Sequence, residues 1–308
     1  MAMVTTIIHS QNHCIETRNT SRARRIVKTH ISPYARFHHS RPFDMTSVQL
    51  IDTAYNYSQF IFAPPDLISR HLIRDGFWEK GLNDQLVADE RQRTTSTERL
   101  VVDLGANVGS FSLFALSRGY RVISFEMQPR VFTLCALSVR LNGWSSRWRG
   151  FNVPLSDADN ESVSFTPYRG NIGRTEMRDD DAGSERATAR RLDTLLSGVE
   201  SIFFLKVDIE GMEWRVVPTL LPWFEHGLIE NAAFEFQPGR RSIELIKFLY
   251  DRASMHCSQG EMQAGLDEAG RDVIMTRQDA LEFVANVRET AQGRVRGSAD
   301  LHCTSTMN

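Results

Sequence analysis

The sequence lacks any apolar run long enough to cross a lipid bilayer, so it predicts no transmembrane segment. It also lacks a surplus of either charge, because 36 lysines and arginines stand against 38 aspartates and glutamates, with a formal net charge of -2. A strongly basic balance would have indicated a nucleic-acid or anionic-membrane partner. We therefore expect neither partner. The sequence also shows no internal repeat, which argues against a solenoid or a propeller.

Cysteine is scarce and no two cysteines form a Cys-x-x-Cys pair. The four cysteines are Cys14, Cys135, Cys257 and Cys303. Their scatter predicts reduced thiols in an intracellular, cytoplasmic protein rather than a disulfide framework or a zinc site. His256 and His302 each lie beside a cysteine, but without a matching second pair we interpret them as packing residues and expect no metal site.

Acidic residues are almost absent from residues 1–43, where Glu16 is the only one among many Arg, His, Ser and Thr residues. This segment lacks the apolar core of a secretory signal. We interpret it as a basic, disordered extension, and an organelle transit peptide is the alternative. The rest divides into a lead-in over residues 44–98 and a main domain over residues 99–308 that carries a polar insertion at 158–192.

The lead-in is expected to be helical and to cover the site of the main domain. Helical spacing of apolar residues predicts helices over 47–55, 65–74 and 82–92, with Asp66 as the cap of the second. Between the last two helices, Glu79 lies in a glycine-bounded turn. It would either contact a ligand or be a solvated turn carboxylate, and we favour the second interpretation.

The main domain opens with a strand, a glycine turn and a helix. A short apolar run ends at Val102, then Asp103 and Gly105 mark the turn, and a helical pattern begins after Gly109. A second strand over residues 121–125 follows, and it ends at Glu126. A strand, a helix and a second strand in this order form the βαβ unit that commonly holds nucleotide-like ligands.

The glycine turn discriminates between two classes of cofactor. A dinucleotide fold needs Gly-x-Gly-x-x-Gly so that backbone amides approach the pyrophosphate. Here the middle glycine is missing, and Asp103 would repel a phosphate. The Asp-x-Gly-x-Asn-x-Gly pattern, which includes Asn107, favours S-adenosylmethionine, with Glu126 accepting hydrogen bonds from the ribose. A nucleotide-dependent oxidoreductase remains the competing enzyme class, and a fold that binds without turnover is the non-enzymatic alternative.

Further polar residues follow later strands of the predicted sheet. Ser156 and Asp157 come after the third strand, where they would either contact the adenine amine or form a turn. The apolar run 202–207 predicts a strand buried on both faces, and Asp208 and Glu210 stand at its carboxyl end. One of these two carboxylates would orient the ammonium of the methyl donor, and the other would act as a general base or help to hold a divalent cation. With Glu235 on the next strand, they are the candidates for orienting an acceptor or for acting as the base.

Lys206 would neutralise part of this acidic group, and Glu213 would cap the helix that follows. Beyond Glu235 the pattern predicts a helix over residues 242–252, a sixth strand over 272–275, a helix over 279–289 and a last, antiparallel strand over 299–303.

Five blocks of this sequence resemble the FkbM family of S-adenosylmethionine-dependent methyltransferases. In chain order they are Val-Asp-Leu-Gly-Ala-Asn-Val-Gly, Phe-Glu-Met-Gln-Pro, Leu-Ser-Asp, Leu-Asp-Thr-Leu-Leu and Lys-Val-Asp-Ile-Glu-Gly-Met-Glu. They span residues 99–237, and the last block is the most specific. One departure is Met127-Gln128-Pro129, where the family usually has Pro-x-Pro after the acid.

The resemblance implies a class I methyltransferase fold, with a seven-stranded, mostly parallel sheet and helices on both faces. It implies O-methylation of a hydroxyl on a small molecule, a sugar or a lipid-like acceptor. The family motif assigns the cofactor turn to Asp103, Gly105, Asn107 and Gly109 and the ribose acid to Glu126. It assigns the acids after the fourth strand to Asp208 and Glu210.

Overall fold

The computed structural model describes residues 27–28, 48–62, 66–91, 99–166, 175, 177–178, 183–236, 240–259, 274–286, 288–289, 295–296 and 299–306. The first elements in chain order are β1 (Val27–Lys28), β2 (Val48–Asp52), β3 (Ser58–Phe62), α1 (Leu67–Asp75), α2 (Lys80–Arg91), β4 (Leu100–Leu104), α3 (Ser110–Ser117), β5 (Arg121–Phe125), α4 (Pro129–Leu141), β6 (Trp148–Phe151), β7 (Leu155–Ser156) and β8 (Glu161–Phe165). They are followed by β9 (Met177–Arg178), β10 (Glu185–Arg191), α5 (Leu192–Leu195), β11 (Ile202–Val207), α6 (Glu213–Val216), α7 (Leu221–Glu225), β12 (Ile229–Phe236), α8 (Arg240–Asp251), β13 (Met255–Gln259), α9 (Arg277–Asn286), β14 (Arg288–Glu289), β15 (Val295–Arg296) and β16 (Ala299–Ser305).

A seven-stranded sheet forms the centre of the molecule, with strand order β13-β16-β12-β11-β4-β5-β6. The five strands from β12 to β6 run parallel, and β16 pairs antiparallel with both β12 and β13. This arrangement confirms the predicted class I methyltransferase fold. The chain proceeds outward from β4 through β5 to β6 and then crosses to β11, so the strand order reverses between β4 and β11. Ligands of open α/β sheets bind at such a switch point, beyond the carboxyl ends of the strands.

The central strands are apolar because helices cover both of their faces. All six residues of β11 are buried. Along β4, Val101 packs with the apolar residues of α2, α3 and α4, whereas Val102 packs on the opposite face with those of α6, α7 and α8. A strand that is buried on both faces has a largely continuous hydrophobic sequence, and β4 and β11 both show this pattern.

The lead-in departs from the prediction at its start, because residues 47–55 form no helix. Instead β2 and β3 form an antiparallel hairpin that also pairs with β1. The hairpin is fixed to α4, since Asn142 donates to Ser58 O at 2.7 Å and Phe60 N donates to Ser138 Oγ at 2.9 Å. These contacts join residues that lie far apart in the sequence, so the local spacing of apolar residues could not predict them.

The two later helices of the lead-in, α1 and α2, are confirmed. Asp66 caps α1 by accepting a hydrogen bond from Ser69 N at 2.8 Å, as expected. The predicted basic extension over 1–43 lies outside the described residues, apart from the two residues of β1.

The polar insertion forms a sheet of its own with strand order β7-β10-β8-β9. Its principal pairing joins β8 and β10 antiparallel. β7 pairs parallel with β10 and connects this small sheet to the segment that follows β6.

Two expectations about the last part of the chain are wrong. The sixth strand is β13 rather than 272–275, where Ile274 forms a single bridge with Ser258 and residues 271–273 lie outside the described part. Cys257 and Cys303 are not reduced thiols, because register pairs them across β13 and β16 as a disulfide with sulfurs 1.99 Å apart. Cys135 is a buried free thiol. The predicted final antiparallel strand is confirmed as β16.

No helix among the described residues combines the length and the apolar character needed to cross a membrane. Within the same residues, no group of three or more His, Cys, Asp or Glu side chains is arranged to hold a metal ion. His302 packs as expected, stacked on Phe204 with its Nε2 3.1 Å from Asp89 Oδ2.

Candidate active site

The turn after β4 lies against the loop after β11, at the switch point of the sheet. Asp208 N donates to Leu104 O at 3.0 Å, which continues the pairing of the two strands into their loops. Gly105 has φ +81°, and a Cβ at this position would lie 1.7 Å from Asp208 O. No side chain fits in that space, so glycine is required for the two loops to meet.

Two residues of these loops, Asn107 (φ 53°) and Glu210 (φ 52°), and Glu79 (φ 49°) of the lead-in adopt left-handed backbone conformations in spite of carrying side chains. Left-handed backbone is costly for a residue with a Cβ, and such strain concentrates at functional sites. The same conformation also occurs away from this edge, at Asn56, Asn160 and Ser254. It therefore supports this edge as the candidate site only together with the contact between the two loops.

A narrow cavity with a volume of about 50 Å³ opens at this edge. Its lining includes Gly105, Asn107, Glu126, Asp208 and Glu210 among the predicted site residues. Sequence analysis missed several apolar members of the lining, and the main ones are Met127, Val153, Leu155 and Met212. Met127 directly follows the predicted ribose acid, but a methionine at this position does not distinguish a ligand contact from a core residue. A cavity for a nucleoside-sized ligand is several times larger, so side chains at its mouth must move on binding.

Glu126 follows β5 and holds the glycine turn in place through both of its carboxylate oxygens. Oε2 accepts from Asn107 N at 3.0 Å, and Oε1 accepts from Gln128 N at 2.8 Å. Burial raises the pKa of Glu126 to about 7, although the two backbone amides oppose this shift. Each carboxylate oxygen has two lone pairs, so this group keeps acceptor capacity toward the cavity.

Asp103 lies behind the turn rather than on the cavity surface. Its side chain is fully buried, and Ser112 Oγ donates to Oδ2 at 2.5 Å. Burial raises the pKa of Asp103, while the nearby charge of Lys206 acts in the opposite direction. Among the described residues, Oδ1 of Asp103 receives no hydrogen bond. Gly109 also lies off the cavity, where a Cβ would come within 2.5 Å of Cys135 Sγ, so this glycine lets the turn pack on α4.

A cluster of acidic side chains surrounds the buried ammonium group of Lys206. Its Nζ lies 3.1 Å from Asp208 Oδ2 and 3.9 Å from both Asp103 Oδ1 and Glu79 Oε2. Burial lowers the pKa of Lys206, but the charges of these acids outweigh burial and hold it well above its usual value. The expectation that Glu79 is a solvated turn carboxylate is therefore wrong, since the structure turns it toward this lysine.

Asp208 and Glu235 interact in the same cluster. Burial raises the pKa of Asp208, whereas the charge of Lys206 and the interactions with Glu235 and Lys206 lower it, and the net pKa lies below the usual value. Asp208 is therefore stabilised as the anion.

Glu213 shapes the loop that carries Glu210. Its Oε1 accepts from Ile209 N at 3.0 Å and from Gly211 N at 3.2 Å, so it holds the loop before α6. Burial raises the pKa of Glu213 to about 7. The expectation that Glu213 caps α6 is wrong, because both amides precede the helix and no side chain among the described residues caps its start.

Ser156 and Asp157 lie outside the cavity lining and participate in a separate polar network. Ser156 is buried and donates to Glu161 and to Asp157. Arg215 of α6 forms ion pairs with Asp157 and Glu161. These contacts favour the turn interpretation, in which the pair joins the insertion to the main domain, and a contact with adenine stays a prediction.

The residues at this edge are compatible with S-adenosylmethionine. Glu126 would accept hydrogen bonds from a ribose, and Met127, Leu155 and Met212 would contact a flat base. The cluster around Lys206 carries more acids than bases, which suits a cationic ligand.

The sequence was also compared with known proteins. A segment of 214 residues, 66% of this chain, is 27% identical to the AMB antimetabolite synthetase AmbE of Pseudomonas aeruginosa, and it covers 9% of that protein. Among solved structures, the METTL16 methyltransferase domain matches with a TM-score of 0.42 and 12% identity over 73% of this chain and 66% of the other. Magnesium protoporphyrin IX methyltransferase (ChlM) from Synechocystis PCC 6803, solved with bound SAM, matches with a TM-score of 0.40 and 12% identity over 74% and 77%.

The profile of one protein family, the methyltransferase FkbM domain, matches residues 103–257. This range begins at the glycine turn, includes β11 and its acidic loop, and ends in β13. It therefore contains the Gly105 turn, Glu126, Asp208 and Glu235, which the structure gathers at one edge of the sheet. The match covers half of the chain, and this chain is a member of the FkbM methyltransferase family.

Proposed function

We propose that this chain uses S-adenosylmethionine to methylate a hydroxyl group of a small-molecule acceptor, such as a sugar or a lipid-like product. The observation that carries the proposal is the joined group of Lys206, Asp208 and Glu235 beside the cavity that Glu126 lines. The likeness to AmbE, whose name describes an antimetabolite synthetase, supports a small metabolite as the acceptor.

In this proposal Glu126 accepts hydrogen bonds from the ribose, and the apolar lining around Met127 encloses the adenine. When bound, the cofactor supplies an electrophilic methyl on a sulfonium, so the acceptor oxygen forms a C–O bond while the C–S bond breaks and its electron pair stays on sulfur. Such a transfer depends mainly on holding the two reactants in line and on excluding water.

We assign Asp208 as the residue that binds and deprotonates the acceptor hydroxyl. Its carboxylate is ionised, because Lys206 lies 3.1 Å away and the pKa of Asp208 lies below its usual value. It accepts the hydroxyl hydrogen bond, orients the oxygen and takes the proton as the C–O bond forms. Glu235 fixes the orientation of Asp208. Glu210, whose backbone is left-handed, lies in the wall of the cavity.

The first experiment is a calorimetric titration of the purified chain with S-adenosylhomocysteine, with NAD as the parallel control. Saturable binding of the first compound alone supports the cofactor assignment, and binding of NAD alone supports the oxidoreductase alternative. Glu126→Ala should weaken binding by about 1.5–3 kcal/mol, the contribution of hydrogen bonds to a charged group. If the affinity of this variant is unchanged, Glu126 does not bind the ribose.

The acceptor is then sought by incubating the chain with a labelled methyl donor and pools of hydroxylated small molecules. With the acceptor in hand, Asp208→Asn should lower kcat by about 10²–10⁴-fold, as expected for the loss of a general base. Glu225→Gln, a change of an exposed acid at the end of α7, is the matched control. Cofactor binding without transfer to any acceptor would instead support a fold that binds without turnover.

A further inference from the structure

A second concave surface lies at the opposite edge of the sheet, at the amino ends of the strands. It is a groove with a volume of about 780 Å³, bounded by the starts of β4, β5, β6 and β11. Its charged lining consists of Arg99, Arg121, Arg147, Arg149, Glu200 and Glu230. Four arginines against two glutamates make this groove locally positive, although the whole chain has a net charge of -2.

The register of the sheet brings Arg121 and Arg149 together on one face, whereas Arg99 stacks on Phe203 of the other face. Arg121 N donates to Arg99 O at 3.1 Å, which joins the starts of β4 and β5. Ile123 pairs with Arg149 across β5 and β6, and Arg121 lies two residues before Ile123. Paired residues of parallel strands share a face, as do residues two apart in one strand. Arg121 and Arg149 therefore project from the same face of neighbouring strands, and both are exposed.

Three of the guanidinium groups are already held in place by their surroundings, and that of Arg149 lies 4.6 Å from the centre of the Phe151 ring. Arg147 donates to Leu116 O at 2.8 Å and to Tyr120 O at 3.1 Å through a single nitrogen, Nη1. The guanidinium of Arg99 lies 4.5 Å from the centre of the Phe203 ring, and Phe203 stacks on Tyr120. An arginine that is fixed in this way loses less side-chain freedom when an anion binds.

We propose that this groove binds a small molecule that bears a phosphate or pyrophosphate group. The planar donors of arginine match phosphate oxygens in pairs, and several arginines suit a multiply charged anion better than a single carboxylate. Leu100, Val122 and Phe203 supply apolar lining for the rest of the ligand. The volume lies within the range of small-molecule sites. This proposal does not depend on the proposed methyl transfer, because the groove and the cofactor cavity lie at opposite ends of the strands.

The test is a calorimetric titration of the full chain with sodium pyrophosphate at low ionic strength, with succinate as the carboxylate comparison. Saturable binding of pyrophosphate in preference to succinate is expected. The double variant Arg121→Ala/Arg149→Ala should weaken it by at least about tenfold, because it removes two charged donors. Arg140→Ala, a change of an exposed arginine in the last turn of α4, is the matched control and should leave the affinity within about twofold of wild type.

Circular dichroism of each variant establishes that the comparison is made on folded protein. Binding of S-adenosylhomocysteine should be the same with and without saturating pyrophosphate, since the two sites are separate. The proposal is overturned if folded wild-type protein shows no saturable binding of pyrophosphate, or if the double variant binds as tightly as wild type. It is also overturned if succinate binds equally well, or if only a long polyanion such as RNA binds.

Discussion

A single methyl group added at Gly105 should disrupt the contact on which the active site depends. Gly105 has φ +81°, and its added Cβ would lie 1.7 Å from Asp208 O. Gly143 supplies a matched control, because its φ is +74° and nothing lies within 4 Å of an added Cβ. Left-handed backbone costs an alanine roughly 1–2 kcal/mol at either position. The difference between the two variants therefore isolates the clash with the loop after β11.

For Gly105→Ala, the backbone of one loop must shift by more than an ångström to restore normal contact distances. That movement opposes the hydrogen bond from Asp208 N to Leu104 O, which is 3.0 Å long. Overpacking of this kind usually costs about 1–3 kcal/mol beyond the backbone strain. We expect Gly105→Ala to lose about 2–5 kcal/mol of unfolding free energy and to lose S-adenosylhomocysteine binding, whereas Gly143→Ala loses about 1–2 kcal/mol and keeps it.

The assay is urea unfolding followed by circular dichroism, together with calorimetric titration of each variant. If Gly105→Ala is no less stable than Gly143→Ala, the two loops do not meet as described, and the reasoning that places Asp208 beside the glycine turn fails.

Three further measurements address other parts of the structure. Lys206→Met should cost about 3–5 kcal/mol in urea unfolding, because it leaves the buried charge of Asp208 without its cation; a loss under about 1 kcal/mol would contradict the described cluster. Burial places the folded pKa of Glu126 at about 7, above the ordinary value of 4.5, so the folded state holds the proton longer and stability should fall as pH rises between those values. Glu126→Gln should reduce that fall, and Glu213, whose pKa is also about 7, should account for part of what remains; an unchanged pH profile would argue against the burial of Glu126. Finally, Asp66→Ala should remove the cap of α1 and cost about 0.5–2 kcal/mol, and an unchanged midpoint in urea would show that the cap contributes nothing.

The central part of the fold was predictable because its strands are buried on both faces. The runs that became β4 and β11 are continuous and apolar, and such runs need no knowledge of their neighbours to be identified. The acidic residues at the ends of these strands were predictable for the same reason, because Asp208 comes directly after an apolar run. Since Glu126 also follows a strand of the parallel sheet, the sequence placed Glu126 and Asp208 at the same edge, beyond the carboxyl ends of the strands.

The hairpin β2–β3 was not predictable in the same way. Its apolar residues fit helical spacing as well as strand alternation, and the choice between them is made by α4, whose Ser138 accepts a hydrogen bond from Phe60 N. β13 was missed because Met255–Gln259 carries polar residues in a strand that only its partner identifies. The disulfide between Cys257 and Cys303 likewise depends on the register of two strands, and no spacing in the sequence contains that register.

The role of Glu79 depended on tertiary structure as well. A glutamate in a glycine-bounded turn usually lies in solvent, and only the position of α2 relative to β11 brings Glu79 within 3.9 Å of Lys206 Nζ. Met127 and Met212 carry no recognisable signal in sequence, because methionine is equally common in apolar cores. They become candidate cofactor contacts only when the cavity is seen.

The position of β16 in the sheet has a consequence for how the protein is made. β16 lies between β12 and β13, and among the described strands it is the only partner of β13. The paired residues Cys257 and Cys303 are 46 positions apart, so β13 leaves the ribosome well before the strand on which it depends. During synthesis the edge of β12 is therefore unpaired until residues 299–305 emerge and insert, and an unpaired strand edge is prone to pair with other chains.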